Sequence, residues 1–130
     1  LRAAVVGGGA LAHDLFLRAT DSGWPLLPSY GLTEAASQVA TAARHETDPA
    51  TLPLLPHVEA RIADSGALAL RGPSLLTGWM VFPESEPAYW ADPKHEGWLT
   101  TGDRAELSAR RLRVLGRMDD LLKIRGELVD

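Results

Sequence analysis

The chain has 130 residues, of which 45% are hydrophobic, and it carries a formal net charge of −4 at pH 7. A chain of this length can form one modest domain that buries about 65–70% of its unfolded surface, and the net negative charge argues against a nucleic-acid-binding protein. No apolar run approaches the ~18 residues that a membrane-spanning helix needs. The absence of cysteine excludes disulfides, a thiol nucleophile and cysteine metal sites, and it is compatible with the cytoplasmic location that we expect.

Residues 1–28 predict a unit of the α/β type. Residues 1–6 are an apolar run typical of a buried parallel strand. A helix is predicted next, because apolar residues recur at helical spacing and a glycine follows as a candidate cap: Leu11, Leu15, Phe16, Ala19 and Gly23. Residues 24–28 predict a second strand, so this part of the chain forms a strand–helix–strand unit.

Three consecutive glycines, Gly7, Gly8 and Gly9, end the first predicted strand. By themselves they predict a tight turn, and they are not a dinucleotide-binding fingerprint because the third spaced glycine of that motif is missing. In α/β sheets, ligands bind in the loops beyond the carboxyl ends of the strands. The glycine run and residues 30–34 both follow predicted strands, so both are candidate ligand-binding loops.

The sequence Tyr30-Gly31-Leu32-Thr33-Glu34 combines an aromatic ring, a glycine, a hydroxyl and a carboxylate in one predicted loop. Tyr30 can carry a flat ring on one face, Thr33 can donate to a phosphate oxygen, and Glu34 can hold a hard cation such as Mg²⁺. A helix-prone run follows at 35–38. The alternative interpretation is a strand-to-helix turn in which Thr33 is the N-cap.

After residue 56 the pattern changes to the alternation typical of antiparallel strands. Two hairpins are predicted: residues 58–62 with 67–71, and residues 98–107 with 112–116. Residues 41–56 and 72–93 are predicted to be irregular, since they are rich in proline and small polar residues, and a new strand is predicted at 121–124. The second half of the chain is therefore predicted to be a small antiparallel sheet or a distorted β-barrel.

Three stretches in a fixed order resemble core motifs of the adenylate-forming (AMP-binding) superfamily. They are YGLTE at 30–34, WLTTGD at 98–103 and GRMDDLLKIRG at 116–126, and the family patterns are roughly YGxTE, (Y/W)xxTGD and GRxDxxxKxxG. The superfamily contains the acyl- and aryl-CoA ligases, the adenylation domains of peptide synthetases, and the luciferases. Within it, the glycine run followed by YGLTEAASQVAT is most similar to the o-succinylbenzoate–CoA ligases of menaquinone synthesis.

The resemblance implies an α/β part followed by antiparallel β structure, in three regions. The end of a doubly wound α/β subdomain, with the adenine and phosphate loops, spans 1–50; a small distorted β-barrel spans 51–117; the hinge and the start of the C-terminal domain span 118–130. It also implies that the chain is a middle segment of a longer enzyme, without that enzyme's upstream phosphate loop and downstream catalytic lysine. We expect the isolated segment to be inactive and to self-associate through its unpaired strand edge and apolar face.

By the same resemblance, the longer protein is an ATP-dependent acid–CoA ligase. It would use ATP and Mg²⁺ to adenylate a carboxylic acid and would then transfer the acyl group to CoA, with release of AMP. Two alternatives remain open: a noncatalytic nucleotide-binding or interaction module that has kept the AMP-site residues, and an adenylation domain that loads a carrier protein instead of CoA.

The motifs also imply which residues contact adenine and phosphate. The backbone that lines the adenine pocket in the family corresponds to three residues of the first loop: Gly8, Gly9 and Ala10. Tyr30 corresponds to the residue that stacks on adenine. Thr33 corresponds to the contact with the α-phosphate, and Glu34 to the ligand of Mg²⁺.

Other matched positions imply contacts with ribose, the acyl group and CoA. Asp103 would accept both ribose hydroxyls, and Arg117 would donate to the same ribose. Asp119 falls on the position at which the C-terminal domain of the family rotates. Gly126 matches the glycine beside the pantetheine arm of CoA, and Gly31 takes the place of a tryptophan that closes the acyl pocket in acetate-specific relatives, which leaves room for a larger acid.

Two of these residues also fit ordinary structural roles. Asp103 fits a Gly-Asp turn between strands, and Arg117 fits a surface ion pair with Asp119 or Asp120, an interaction that contributes little to stability. The presence of all three motifs in order favours the nucleotide-binding interpretation of both residues.

Overall fold

The computed structural model describes residues 1–44, 46, 48–119, 122–124 and 127–129. Within them the chain forms one α-helix, one 3-10 turn and a series of short strands. In chain order these are β1 (Ala4–Val6), α1 (His13–Asp21), β2 (Leu26–Leu32), the 3-10 turn (Thr33–Ala35), β3 (Ser37–Thr41), β4 (Leu52–Pro53), β5 (Glu59–Ile62), β6 (Ala67–Arg71), β7 (Trp79–Val81), β8 (Tyr89–Ala91), β9 (Leu99–Ser108), β10 (Arg111–Arg117), β11 (Leu122–Ile124) and β12 (Glu127–Val129).

The predicted strand–helix–strand unit is confirmed. β1 pairs in parallel with β2, α1 crosses between them, and Phe16 is the buried residue of the helix. Gly23 follows the helix with a φ of +81°, a conformation that glycine adopts without a steric penalty. In the described part of the chain, no helix has the length and apolar character needed to cross a membrane.

The structure around residues 30–38 differs from the prediction. β2 extends through Tyr30 and Gly31 to Leu32, and the run that was predicted to be helical forms β3, antiparallel to β2. Thr33 starts a single 3-10 turn, and the residue that precedes that turn makes no side-chain cap. Pairing with β2 and complete burial of Val39 outweigh the modest helix propensity of this segment.

A five-stranded antiparallel sheet with the order β4-β10-β9-β6-β5 forms most of the second half. It contains both predicted hairpins, β5 with β6 and β9 with β10. Over the described residues its edge strands are β4 and β5, so the sheet is open, and the predicted distorted β-barrel does not close in this part of the chain. β4 lies in the region 41–56 and the small hairpin of β7 and β8 lies in the region 72–93, both of which were predicted to be irregular.

One apolar core joins the three-stranded sheet to the five-stranded sheet. An isolated bridge pairs Ala40 with Leu54, and the Leu55 backbone N–H donates to the Val39 carbonyl at 2.9 Å. The largest fully buried side chains come from both sheets: Val39, Leu68, Leu70 and Leu112. The shared core holds together the sheets that carry two of the candidate residues, Tyr30 on β2 and Asp103 on β9.

Candidate functional site

Asp103 lies at the centre of a polar network that joins the two sheets. The Tyr30 hydroxyl donates a hydrogen bond of 2.5 Å to Asp103 Oδ2, and Arg117 Nη1 lies 3.7 Å from Asp103 Oδ1. The Asp103 side chain is only 14% exposed. The structure therefore brings together three of the residues that the motifs selected, from two distant parts of the chain.

The residues just before Asp103 hold its backbone in place. The Thr101 hydroxyl donates to the Leu68 carbonyl at 3.0 Å and accepts from the Asp103 backbone N–H at 3.1 Å. A Cβ atom at Gly102 would lie 2.8 Å from Arg117 Nη2, so a side chain there would require the guanidinium to shift. The sequence analysis missed Thr101 and Gly102 as positioning residues, although both belong to the TGD motif itself.

The Tyr30 hydroxyl remains a hydrogen-bond donor over the accessible pH range. Burial raises the pKa of the phenol far above its ordinary value, and the hydrogen bond to the Asp103 carboxylate raises this pKa further. The ring packs against the core that the two sheets share. Tyr30 therefore stays protonated and donates to the negatively charged carboxylate.

Arg117 also pairs with the candidate hinge residue. Its Nε donates to Asp119 Oδ1 at 2.8 Å and its Nη2 donates to Asp119 Oδ2 at 3.1 Å. These hydrogen bonds lower the pKa of Asp119. Both side chains are more than half exposed, so this is a surface ion pair of small energetic value, as the alternative interpretation expected, and Arg117 lies between Asp103 and Asp119.

An open cavity of about 600 Å³ lies between the loop after β1 and the end of β2. Its lining comes from the loop after β1, from β2, from the 3-10 turn and from β3. It includes residues of the two predicted ligand-binding loops, and two residues that the sequence analysis did not select: Gly7, Gly8, Gly31 and Thr33, with Ser29 and Gln38. Gly9 and Ala10 continue the exposed loop toward α1. Tyr30 lies between Ser29 and Gly31 on β2, so the same strand carries residues of the cavity lining and one residue of the Asp103 network.

The close approach of the neighbouring strand leaves no space for a side chain at Gly31. The pairing of β2 with β3 shifts register between Tyr30 and Gly31, and a Cβ atom at Gly31 would overlap the backbone carbonyl of Ser37. A tryptophan at this position does not fit this backbone. The close approach of the two strands therefore requires glycine here, whatever the size of the substrate.

Glu34 is held in place through its backbone, since its carbonyl accepts a hydrogen bond of 2.7 Å from the Leu76 N–H. Among the described residues, no group of three or more histidine, cysteine or acidic side chains could hold a metal ion. Glu34 can thus offer a single carboxylate, which fits Mg²⁺ bound mainly through phosphate oxygens and water. Gly126, the candidate CoA contact, lies outside the described residues.

Comparison with known proteins relates nearly the whole chain to one group of enzymes. No family model matches the chain. The 2-succinylbenzoate–CoA ligase of Salmonella typhimurium is 35% identical over 133 residues, which cover 98% of this chain and 27% of the relative. The 2-succinylbenzoate–CoA ligase of Listeria monocytogenes is 33% identical over 132 residues, with the same coverage of 98% and 27%.

A solved structure supports the same relationship. A variant of E. coli MenE with bound OSB-AMS matches with a TM-score of 0.84 and 29% identity, over 100% of this chain and 28% of that chain. This chain therefore spans about a quarter of the length of the proteins it matches. Since the likeness extends over sequence and fold together, the chain belongs to the adenylate-forming family of acid–CoA ligases.

Proposed function

We propose that this chain supplies part of the ATP site of an AMP-forming acid–CoA ligase, and that the acid is 2-succinylbenzoate, on the route to menaquinone in the cytoplasm. The observation that carries the proposal is the Asp103 network: Tyr30 and Arg117 converge on one carboxylate in a chain related over 98% of its length to 2-succinylbenzoate–CoA ligases. Since it spans 27% of that relative, the activity belongs to a longer protein.

The proposed reaction has two steps. The carboxylate of the acid attacks the α-phosphorus of ATP and displaces pyrophosphate, and the thiol of CoA then attacks the acyl-adenylate and displaces AMP. Positioning of the reactants and electrostatic stabilisation supply most of the rate in such reactions. Thr33 would donate to the α-phosphate, and Glu34 would hold Mg²⁺, which neutralises phosphate charge when bound.

In the proposed site, the adenosine lies between the first loop and the Asp103 network. The backbone of Gly8, Gly9 and Ala10 would face the adenine, and the ring of Tyr30 would stack on it. An ionised carboxylate only accepts hydrogen bonds and can take two hydroxyl donors, so Asp103 is suited to the ribose diol. The low exposure of its side chain, 14%, supports this role because fewer water molecules compete for its oxygens.

The proposed enzyme would divide this chain into three regions. The end of the α/β subdomain would span 1–50, the small β subdomain would span 51–117, and the hinge with the start of the C-terminal domain would span 118–130. Asp119 would be the hinge residue. Its exposed ion pair with Arg117 contributes little energy, so rotation of a domain at this point can break it readily. Gly126 would then approach the pantetheine arm of CoA in the thioester-forming orientation, and Gly31 would line the acyl pocket.

The proposal is tested by assaying AMP and pyrophosphate release by the full-length protein with ATP, Mg²⁺, CoA and a panel of aromatic and aliphatic acids. We expect AMP formation that depends on both CoA and 2-succinylbenzoate, in agreement with the acceptor named for both relatives. Transfer to a carrier protein in place of CoA would favour an adenylation domain, and nucleotide binding without turnover would favour a noncatalytic module.

The isolated chain of 130 residues is the matched negative control. We expect no acid-dependent AMP formation from it, because it spans only 27% of its relative and the resemblance implies that the family's phosphate loop and catalytic lysine are supplied by other segments. We also expect it to self-associate, since β1 is a sheet edge and Val5, Leu15 and Trp24 are each more than half exposed. The size of the particles is measured by light scattering on the same samples. A monomer at high concentration would contradict the expected self-association.

In the full-length protein, Asp103→Ala should impair adenylation by removing the ribose anchor. The expected loss in kcat/KM for ATP corresponds to about 2–4 kcal/mol, as for a partly buried charge-assisted contact. Glu106→Ala is the matched control, because Glu106 lies on the same strand but is 62% exposed and pairs only loosely with Arg113 at 3.6 Å. Normal ATP kinetics in the Asp103 variant would show that the ribose is bound elsewhere.

Asp119→Pro should separate the two half-reactions of the full-length protein. Proline fixes φ near −65°, so the C-terminal domain should be held in one orientation, which we expect to be the adenylating one. Pyrophosphate release without CoA should persist, while acyl transfer from supplied acyl-adenylate should fall by orders of magnitude. Asp119→Ala is the control, because it removes the ion pair but leaves the backbone free, and it should retain both half-reactions. Unchanged acyl transfer in the proline variant would mean that Asp119 is not a hinge.

A further inference from the structure

The hydroxyl of Tyr30 has no task in the proposed site, where only the aromatic ring is used to stack on adenine. In the structure this hydroxyl makes a hydrogen bond of 2.5 Å to Asp103 Oδ2. An O–H donor bound to a carboxylate at about 2.5–2.7 Å is a charge-assisted hydrogen bond, one of the stronger kinds in proteins. The contact therefore calls for a role of its own.

We propose that the Tyr30 hydroxyl is a positioning group for Asp103, which sets the carboxylate in the orientation that reads the ribose diol, separately from any stacking by the ring. The inference rests on the proposed function, because it assumes that Asp103 binds ribose. It makes Tyr30 a determinant of sugar recognition as well as of base recognition.

Among the contacts described for this part of the chain, the bond from Tyr30 is the most direct restraint on the Asp103 side chain. Thr101 fixes the backbone of Asp103 through the N–H, and this contact does not restrain the carboxylate itself. Arg117 Nη1 is 3.7 Å from Oδ1, too far for a good hydrogen bond, and its other nitrogens donate to Asp119. The hydrogen bond from Tyr30, at 2.5 Å, is thus shorter than the contact from Arg117.

The arrangement also leaves the carboxylate able to bind a diol. Two carboxylate oxygens offer about four lone-pair sites, and Tyr30 occupies one of them on Oδ2. Two hydroxyl groups of a ribose can then bind to the sites that remain, one on each oxygen. Since burial raises the pKa of the Tyr30 phenol, the hydroxyl stays protonated and remains a donor to Asp103.

A comparison of Tyr30→Phe with the unchanged full-length protein tests the proposal, because phenylalanine keeps the ring and removes the hydroxyl. Affinities for AMP, 2′-deoxyAMP and 3′-deoxyAMP are measured by calorimetry, and KM for the corresponding triphosphates is measured in the adenylation assay. We expect Tyr30→Phe to weaken AMP binding by about 10–100-fold, the range for loss of a hydrogen bond to a charged group. The preference for AMP over the deoxynucleotides should shrink by a similar factor.

Two further variants separate positioning from other effects. Tyr89→Phe is the matched control, since Tyr89 is the other tyrosine of the chain and is 51% exposed on β8; it should change neither affinity nor preference. Tyr30→Leu, which removes ring and hydroxyl together, should show the same reduced preference as Tyr30→Phe and an additional equal loss for all three nucleotides.

The outcomes also distinguish this inference from the proposed function. A full-length protein that prefers AMP over its deoxy forms, with the same preference in Tyr30→Phe, overturns the inference and leaves the ribose site intact. An equal loss for all three nucleotides in Tyr30→Phe, with a lower melting temperature, means a structural role and also overturns it. No preference for ribose in the unchanged protein overturns both proposals, because Asp103 then does not read the sugar.

Discussion

The hydrogen bond from Tyr30 to Asp103 connects residues 73 positions apart in the chain. The candidate site therefore depends on the tertiary contact that brings these two residues together. Tyr30 lies on β2 of the three-stranded sheet and Asp103 on β9 of the five-stranded sheet. The two side chains meet because both sheets contribute to one apolar core. The free energy that brings the site together is therefore mainly that of apolar burial, and the polar contact selects the orientation of the carboxylate within it.

Much of the architecture could be predicted, because periodicity is a local property of the sequence. The β5–β6 and β9–β10 hairpins and the first strand–helix–strand unit follow from alternating or helical apolar patterns. β3 could not be predicted in this way. Its residues favour a helix weakly, and their pairing with β2 depends on Val39 and Ala40 entering a core to which distant segments contribute. The hairpin of β7 and β8 was missed because its two strands have three residues each, too few for a periodic signal.

The site could be predicted as a set of residues but not as a geometry. The motifs selected Tyr30, Asp103 and Arg117 together, and the structure places them in one network. The geometry depends on tertiary contacts that no single motif encodes. These are the hydrogen bond from the Tyr30 hydroxyl, the placement of Arg117 between Asp103 and Asp119, and the hydrogen bond from Thr101 to the backbone. Gly102 shows the same limit, since its lack of a side chain matters only because the Arg117 guanidinium lies beside it.

The central claim is that Asp103, oriented by Tyr30, binds the ribose of a nucleotide. A crystal structure of the full-length protein with AMP tests this most directly. We predict both ribose hydroxyl oxygens within hydrogen-bond distance of the Asp103 carboxylate, the adenine against the ring of Tyr30, and the bond from Tyr30 to Asp103 retained. AMP bound at another site, or an Asp103 carboxylate turned away from the ribose, would contradict the account.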